Sequence, residues 1–144
     1  MHAALGSLLY LNLSRCYLTD DGCNKFSTLQ TLKVLNLGFN EISDGILVHL
    51  KGLTSLETLN LDSCEIGDKG LVYLAGLKRL KCLELSDTEV GSSGLHHLSG
   101  LFCCLYSQDN MVWICMLLKY YVYYHIDLTI RISPYRYGAL GPFF

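Results

Sequence analysis

The residues that could do chemistry are few, and their spacing gives each an ordinary structural use. His96 and His97 are adjacent, so they cannot share one face of a helix. His49 is a lone histidine far from either in the chain. Asp20-Asp21 is the paired-carboxylate type that acid–base chemistry uses, but one reads as a helix cap and the other as its exposed neighbour. Gly91-Ser92-Ser93-Gly94 lacks the lysine and the flanking spacing of a phosphate-binding loop. Cys103 and Cys104 are sequence neighbours that could seed a metal site, yet a vicinal pair alone reads as two small apolar side chains. No nucleophile, base and orienting group fall together. The expectation is a protein that is not an enzyme, with no cofactor and no metal.

Composition narrows the class. The chain has 144 residues, 51% of them hydrophobic and 17% charged, which is too apolar for a disordered chain and sufficient for one modest domain. Lys+Arg is 11 and Asp+Glu is 13, giving a net charge of −2, with no basic run of the kind that binds nucleic acid. The first residues, Met1-His2-Ala3-Ala4-Leu5-Gly6-Ser7, lack the positive start and long apolar core of a secretory signal. The 7 cysteines are odd in number and form no CxxC pair, so they read as reduced thiols in a cytoplasmic or nuclear protein.

The dominant signal is a repeat. Leu5, Leu29, Leu53, Leu77 and Leu101 recur at intervals of 24 residues. Numbering each unit from its leading leucine, position 4 is Leu8, Leu32, Leu56 and Leu80, and position 7 is Leu11, Leu35, Leu59 and Leu83. Position 9 is Leu13, Leu37, Leu61 and Leu85, and position 14 is Leu18, Ile42, Ile66 and Val90. Position 22 is Phe26, Leu50, Leu74 and Leu98. Positions 7 and 9 alternate as on a short strand, while positions 18 or 19 and 22 lie on one side of a short helix. The strands are expected near 10–13, 34–37, 58–61 and 82–85. Position 16 reads Asp20, Asp44, Asp68 and Ser92, all good N-cap types, and helices are expected to start after them. Gly22, Gly70 and Gly94 follow at position 18. Position 12 reads Cys16, Asn40, Cys64 and Thr88, small residues that can satisfy backbone groups where the chain bends. Cys16 and Cys64 are two units apart, about 10 Å at strand spacing, too far for a disulfide.

The run from Leu53 to Leu71, with its Leu56, Leu59, Leu61, Cys64, Ile66 and Gly70, resembles the cysteine-containing class of leucine-rich repeat. That class occurs in F-box substrate adaptors and related plant intracellular repeat proteins. The resemblance covers residues 5–101 and implies an α/β fold, a leucine-rich repeat solenoid. Its form would be a short horseshoe of four repeats, with parallel strands on the concave face and short helices on the convex face. It also implies a non-catalytic protein–protein interaction scaffold, like the substrate-binding part of a ubiquitin-ligase adaptor. An F-box normally precedes the repeats, and only four residues stand before Leu5, so none is expected within this chain.

After Leu101 the pattern stops. Cys104, Ser107 and Asp109 occupy the places of the next leucines, and residues 102–144 form an irregular tail in which Tyr106, Tyr120, Tyr121, Tyr123, Tyr124, Tyr135 and Tyr137 concentrate. Three readings of this tail stand open. It is a cap over the last repeat, a membrane anchor, or a segment that is not native coding sequence. Met111 to Leu118 is continuously apolar, but Asp109, Lys119, His125 and Asp127 interrupt every window long enough to span a bilayer, so a membrane partner is disfavoured. The corresponding alternatives for the whole chain are a membrane-associated repeat protein and a truncated fragment without independent function.

On the strands, positions 6, 8 and 10 face away from the buried leucines. With position 11 they supply the expected partner-binding residues: Tyr10, Asn12, Arg15, Val34, Asn36, Phe39, Thr58, Asn60, Asp62, Glu84 and Asp87. Tyr10, Arg15, Val34 and Phe39 make an apolar and cationic end, and Asp62, Glu84 and Asp87 an acidic one. The partner is expected to be a protein, and uncapped repeat ends are expected to favour self-association.

Overall fold

The structure is a computed structural model and describes residues 7–98 and Leu101. Among the described residues, four short strands form one parallel sheet in the order β1-β2-β3-β4. They are β1 (Tyr10–Asn12), β2 (Val34–Asn36), β3 (Thr58–Asn60) and β4 (Cys82–Glu84). The register follows the repeat: Leu11 pairs with Leu35, Leu35 with Leu59, and Leu59 with Leu83. Each strand therefore lies beside the one 24 residues away, and equivalent positions become neighbours across the sheet.

A helical segment follows each strand. Cys23–Thr28 and Gly70–Gly76 are 3₁₀ helices, whereas Asp44–Leu50 and Ser92–His97 are α-helices. Their inner faces pack on the leucine side of the sheet. Leu35, Leu37, Leu59 and Leu61 from positions 7 and 9 join Leu47, Leu50, Leu71 and Leu74 from positions 19 and 22 in one core of fully buried side chains. Position 19, which reads Cys23, Leu47, Leu71 and Leu95, is the buried helical column in every unit. The first unit is looser: Leu8, Leu11, Leu13 and Leu18 are only partly buried.

The expected helix caps are corrected. The N-cap residues are Gly22, Ser43, Lys69 and Gly91, not Asp20, Asp44, Asp68 and Ser92. The three carboxylates instead reach the next unit. Asp20 accepts the Ser43 amide at 2.8 Å, Asp44 the Gly67 amide at 2.8 Å, and Asp68 the Gly91 amide at 2.6 Å. An ionised acceptor makes a strong bond to an amide, and here the bond also ties two units together. Asp20 and Asp68 are thereby set at the N-terminal ends of the following α-helices, where negative charge is favoured. The glycines follow from this placement. A Cβ on Gly70 would collide with Asp44 Oδ1, and one on Gly94 would come 2.5 Å from Asp68 Oδ1.

Position 12 does the work its residue types suggest. The Asn40 amide donates to the Leu13 and Leu37 carbonyls at 2.9 and 2.7 Å, and its oxygen accepts the Cys16 and Leu18 amides at 3.0 Å. The Cys64 thiol donates to the Leu37 carbonyl at 3.4 Å, and the Thr88 hydroxyl to Leu85 at 2.7 Å. Cys16, Cys23, Cys64 and Cys82 are free thiols. Cys103, Cys104, the Met111–Leu118 run and the whole 102–144 tail lie outside the described residues. Among the described residues, no helix is long and apolar enough to cross a membrane.

Candidate functional site

The side of the sheet away from the core is built from rows, since parallel register sets position 6 beside position 6 and position 8 beside position 8. Adjacent strands lie about 4.8 Å apart, so these side chains stand in files and cover one another. The sequence reading of this face is accordingly corrected at four residues. Asn36, Thr58, Asn60 and Glu84 are buried.

Position 8 has a second feature: each side chain folds onto its own strand exit, exposed at Asn12 and buried in the other three units. Asn12 accepts the Ser14 amide at 3.0 Å, Asn36 the Gly38 amide at 3.0 Å, and Asn60 the Asp62 amide at 2.8 Å. Glu84 takes the same role with the Ser86 amide at 3.2 Å and also accepts from the Ser86 hydroxyl. The three buried members end strands rather than meet a partner, whereas Asn12 keeps an exposed side chain. Glu84 is the odd member, a carboxylate where the others are amides. Burial raises its pKa, only partly offset by its bonds to Ser86, and Asp62 pushes it further up.

The exposed members lie mainly at position 11. Arg15, Phe39 and Asp87 are exposed there, with Ser63 half-buried between them. Tyr10 and Asn12 are exposed on β1, and Val34 and Asp62 are half-buried. The Arg15 guanidinium sits 4.1 Å from the centroid of the Phe39 ring, a cation–π contact that joins the first two units. Of the expected apolar and cationic end, Arg15 and Phe39 are thus brought into contact. Tyr17, which sequence reasoning passed over, lies two residues beyond Arg15 and is 90% exposed.

Position 11 carries one feature that residue types did not signal. Arg15, Phe39, Ser63 and Asp87 all have positive φ, between 49° and 60°. The chain turns here while each amide still reaches the next unit: Arg15 donates to Gly38, Phe39 to Asp62, and Ser63 to Ser86, at 3.1, 2.7 and 2.8 Å. Asparagine or glycine at these positions would have announced a left-handed turn, and arginine and phenylalanine do not.

Two charged files flank the sheet. At position 5, before each strand, Glu57 lies between Lys81 at 2.7 Å and Lys33 at 3.6 Å, and its bond to Lys81 lowers its pKa. At position 13, beyond each strand, Glu41, Glu65 and Glu89 stand exposed in neighbouring units. The first unit interrupts both files, with Leu9 and Tyr17. Among the described residues, no group of His, Cys, Asp and Glu could hold a metal ion. Burial pushes the Cys23, Cys64 and Cys82 thiols up, which disfavours the thiolate a cysteine nucleophile needs.

The leucine rich repeat family model matches residues 6–66. Together with the parallel register, this match supports a leucine-rich repeat fold; such repeats generally mediate protein–protein interaction and are typically non-catalytic. An internalin of Listeria monocytogenes is similar over 54% of this chain and 22% of its own, with 33% identity and a TM-score of 0.47. Internalin C2 of the same organism is similar over 54% of this chain and 33% of its own, with 32% identity and a TM-score of 0.46. This chain therefore spans a third or less of either protein. No curated protein matches it.

Proposed function

We propose that this protein is a non-catalytic scaffold that binds another protein through the open side of its sheet. The observation that carries the reading is the contact of Arg15 on Phe39, on the same open side of the sheet as the exposed Tyr10. Arginine and aromatic residues are the types that dominate interface energetics, and they concentrate here on a rigid, hydrogen-bonded frame. The binding residues are Tyr10, Asn12, Arg15, Val34, Phe39, Asp62 and Asp87. The buried Asn36, Thr58, Asn60 and Glu84 support them from beneath.

A finer form of this reading makes the chain the substrate-recognising part of a ubiquitin-ligase adaptor, with four repeats curved around the partner. The thiols at position 12, Cys16 and Cys64, support it. The free thiols of the described cysteines support an intracellular home. Residues 5–101 form the scaffold in this reading, and 102–144 add nothing to its stability. Deleting the tail should leave the melting curve unchanged.

The test is site-specific photo-crosslinking in extract of the source cells. A crosslinker at Tyr10 or Val34 should yield protein adducts, and one at Val72 on the helical side should not. Equal yields from both sides, or none from Tyr10 and Val34, would refute the scaffold reading. Ligase subunits among the adducts would support the finer form, and their absence would remove it.

A further inference from the structure

We propose that position 11 forms a docking strip for an extended protein segment that sets a carboxylate against Arg15 and a cation against Asp87. This rests on the scaffold reading above and names the chemistry of the partner. Arg15, Phe39, Ser63 and Asp87 occupy equivalent places in successive units, held in line by the Arg15–Gly38, Phe39–Asp62 and Ser63–Ser86 backbone bonds. At strand spacing the strip runs about 14 Å from Arg15 to Asp87. It begins with a cation, passes an aromatic ring and a hydroxyl, and ends with a carboxylate.

Three observations point to use rather than to packing. First, the ends are free. Among the described residues neither Arg15 nor Asp87 has an ion-pair partner, since the ion pairs there are those of Glu57 with Lys33 and Lys81. Second, Arg15 is preorganised. Stacked 4.1 Å from the Phe39 centroid, it keeps its planar N–H edge available for a bidentate carboxylate. Third, the backbone runs against its own preference. All four residues hold left-handed φ, where glycine or asparagine would sit with less strain, yet the strip carries Arg and Phe.

The occupant follows from distance and sign. Along an extended chain, residues i, i+2 and i+4 share one face and span about 13 Å. An acidic residue at i, an apolar one at i+2 and a basic one at i+4 would meet Arg15, Phe39 and Asp87 in turn. A polyanion such as nucleic acid satisfies Arg15 but is repelled by Asp87, Asp62 and the exposed Glu41, Glu65 and Glu89.

The test is a titration of the ¹⁵N-labelled full chain with two synthetic peptides, Thr-Asp-Thr-Leu-Thr-Lys-Thr and Thr-Lys-Thr-Leu-Thr-Lys-Thr. The first should shift the amides of Arg15, Phe39, Ser63 and Asp87, and should bind about tenfold more tightly than the second. Arg15→Glu should invert that preference. Phe39→Gly should melt no lower than the unsubstituted chain yet bind the first peptide several-fold more weakly, separating a binding role from a folding one. Equal binding of the two peptides, no shift at millimolar peptide, or an Arg15→Glu variant without inversion would overturn the proposal. If any of these occurs while Tyr10 and Val34 still give crosslinked adducts, the strip falls and the scaffold reading stands.

Discussion

Asp20 and Ser43 stand 23 residues apart in the chain, and the carboxylate of the first accepts both the amide and the hydroxyl of the second. The contact decides what residue 45 can be. A Cβ on Gly45 would come 2.7 Å from Asp20 Oδ2, and the three heavy atoms nearest to that Cβ all belong to the Asp20 side chain. Gly45→Ala should therefore bring no gain in the intact protein, although alanine is favoured over glycine within a helix by about 1 kcal/mol. After Asp20→Ala the obstacle is gone. Gly45→Ala should then stabilise by about that 1 kcal/mol. Denaturant melts of the four proteins check the change of sign, and equal effects in both backgrounds would refute the steric account.

The core makes a prediction that depends on strand phase. Leu59 is fully buried between neighbouring leucines, and Thr58, the residue before it, is buried on the opposite side by its file neighbours Val34 and Cys82. Leu59→Ala leaves a cavity and should cost about 2–5 kcal/mol. Thr58→Ala loses only a small side chain from a file and should cost about 1 kcal/mol, the typical value for a substitution. Comparable losses in urea melts would contradict the assignment of faces.

These two residues also mark how far the sequence could be read. Leu59 was legible because alternation at positions 7 and 9, repeated every 24 residues, fixes both the strand and its buried side. Thr58 was legible in direction but not in exposure. Its burial comes from the rows that parallel register creates, and alternation along one strand is silent about neighbours across the sheet. The caps failed for a related reason. Asp20, Asp44 and Asp68 are correct residue types near helix starts, but their carboxylates found amides in the next unit rather than in their own. In the candidate site, Arg15 and Phe39 were visible as residue types, and their stacking and left-handed backbone were not. Neither residue type favours that conformation.

The left-handed file offers a stabilising substitution. Ser63 holds φ of 52°, and its hydroxyl donates to Asp62 at 3.0 Å. An L-residue is disfavoured in this region by about 1–2 kcal/mol, a cost glycine escapes while losing more backbone entropy on folding. Ser63→Gly should therefore raise stability by about 0.5–1 kcal/mol. The same substitution at Cys64, whose thiol reaches the Leu37 carbonyl from a buried place, should lower it. Thermal melts of the two variants check the contrast, and a drop in both would show that the turn is not strained at Ser63.

Two glutamates one unit apart in the stack should shift stability with pH in opposite directions. The pKa of Glu57 is lowered, first by its hydrogen bond to Lys81 and then by the charges of Lys81 and Lys33. A depressed folded pKa adds stability above the unfolded value of about 4.3, and that stability is lost as pH falls through the folded pKa. Glu57→Gln should therefore cost most at neutral pH and nothing in strong acid. The effect should shrink in high salt, because the pair is exposed. The pKa of Glu84 is raised, first by burial, with Asp62 adding to it. A raised folded pKa leaves the stability contribution intact below about pH 4.3 and removes it as pH rises through the folded pKa. Glu84→Gln keeps an oxygen to accept the Ser86 amide and hydroxyl, and it resembles the asparagines at the same position in the other units. It should gain on the unsubstituted protein as pH rises from 3 to 7. Urea melts of the three proteins at several pH values, at low and high salt, give both slopes. A Glu84→Gln variant that loses ground on going from acid to neutral pH would reverse the sign assigned to that buried carboxyl.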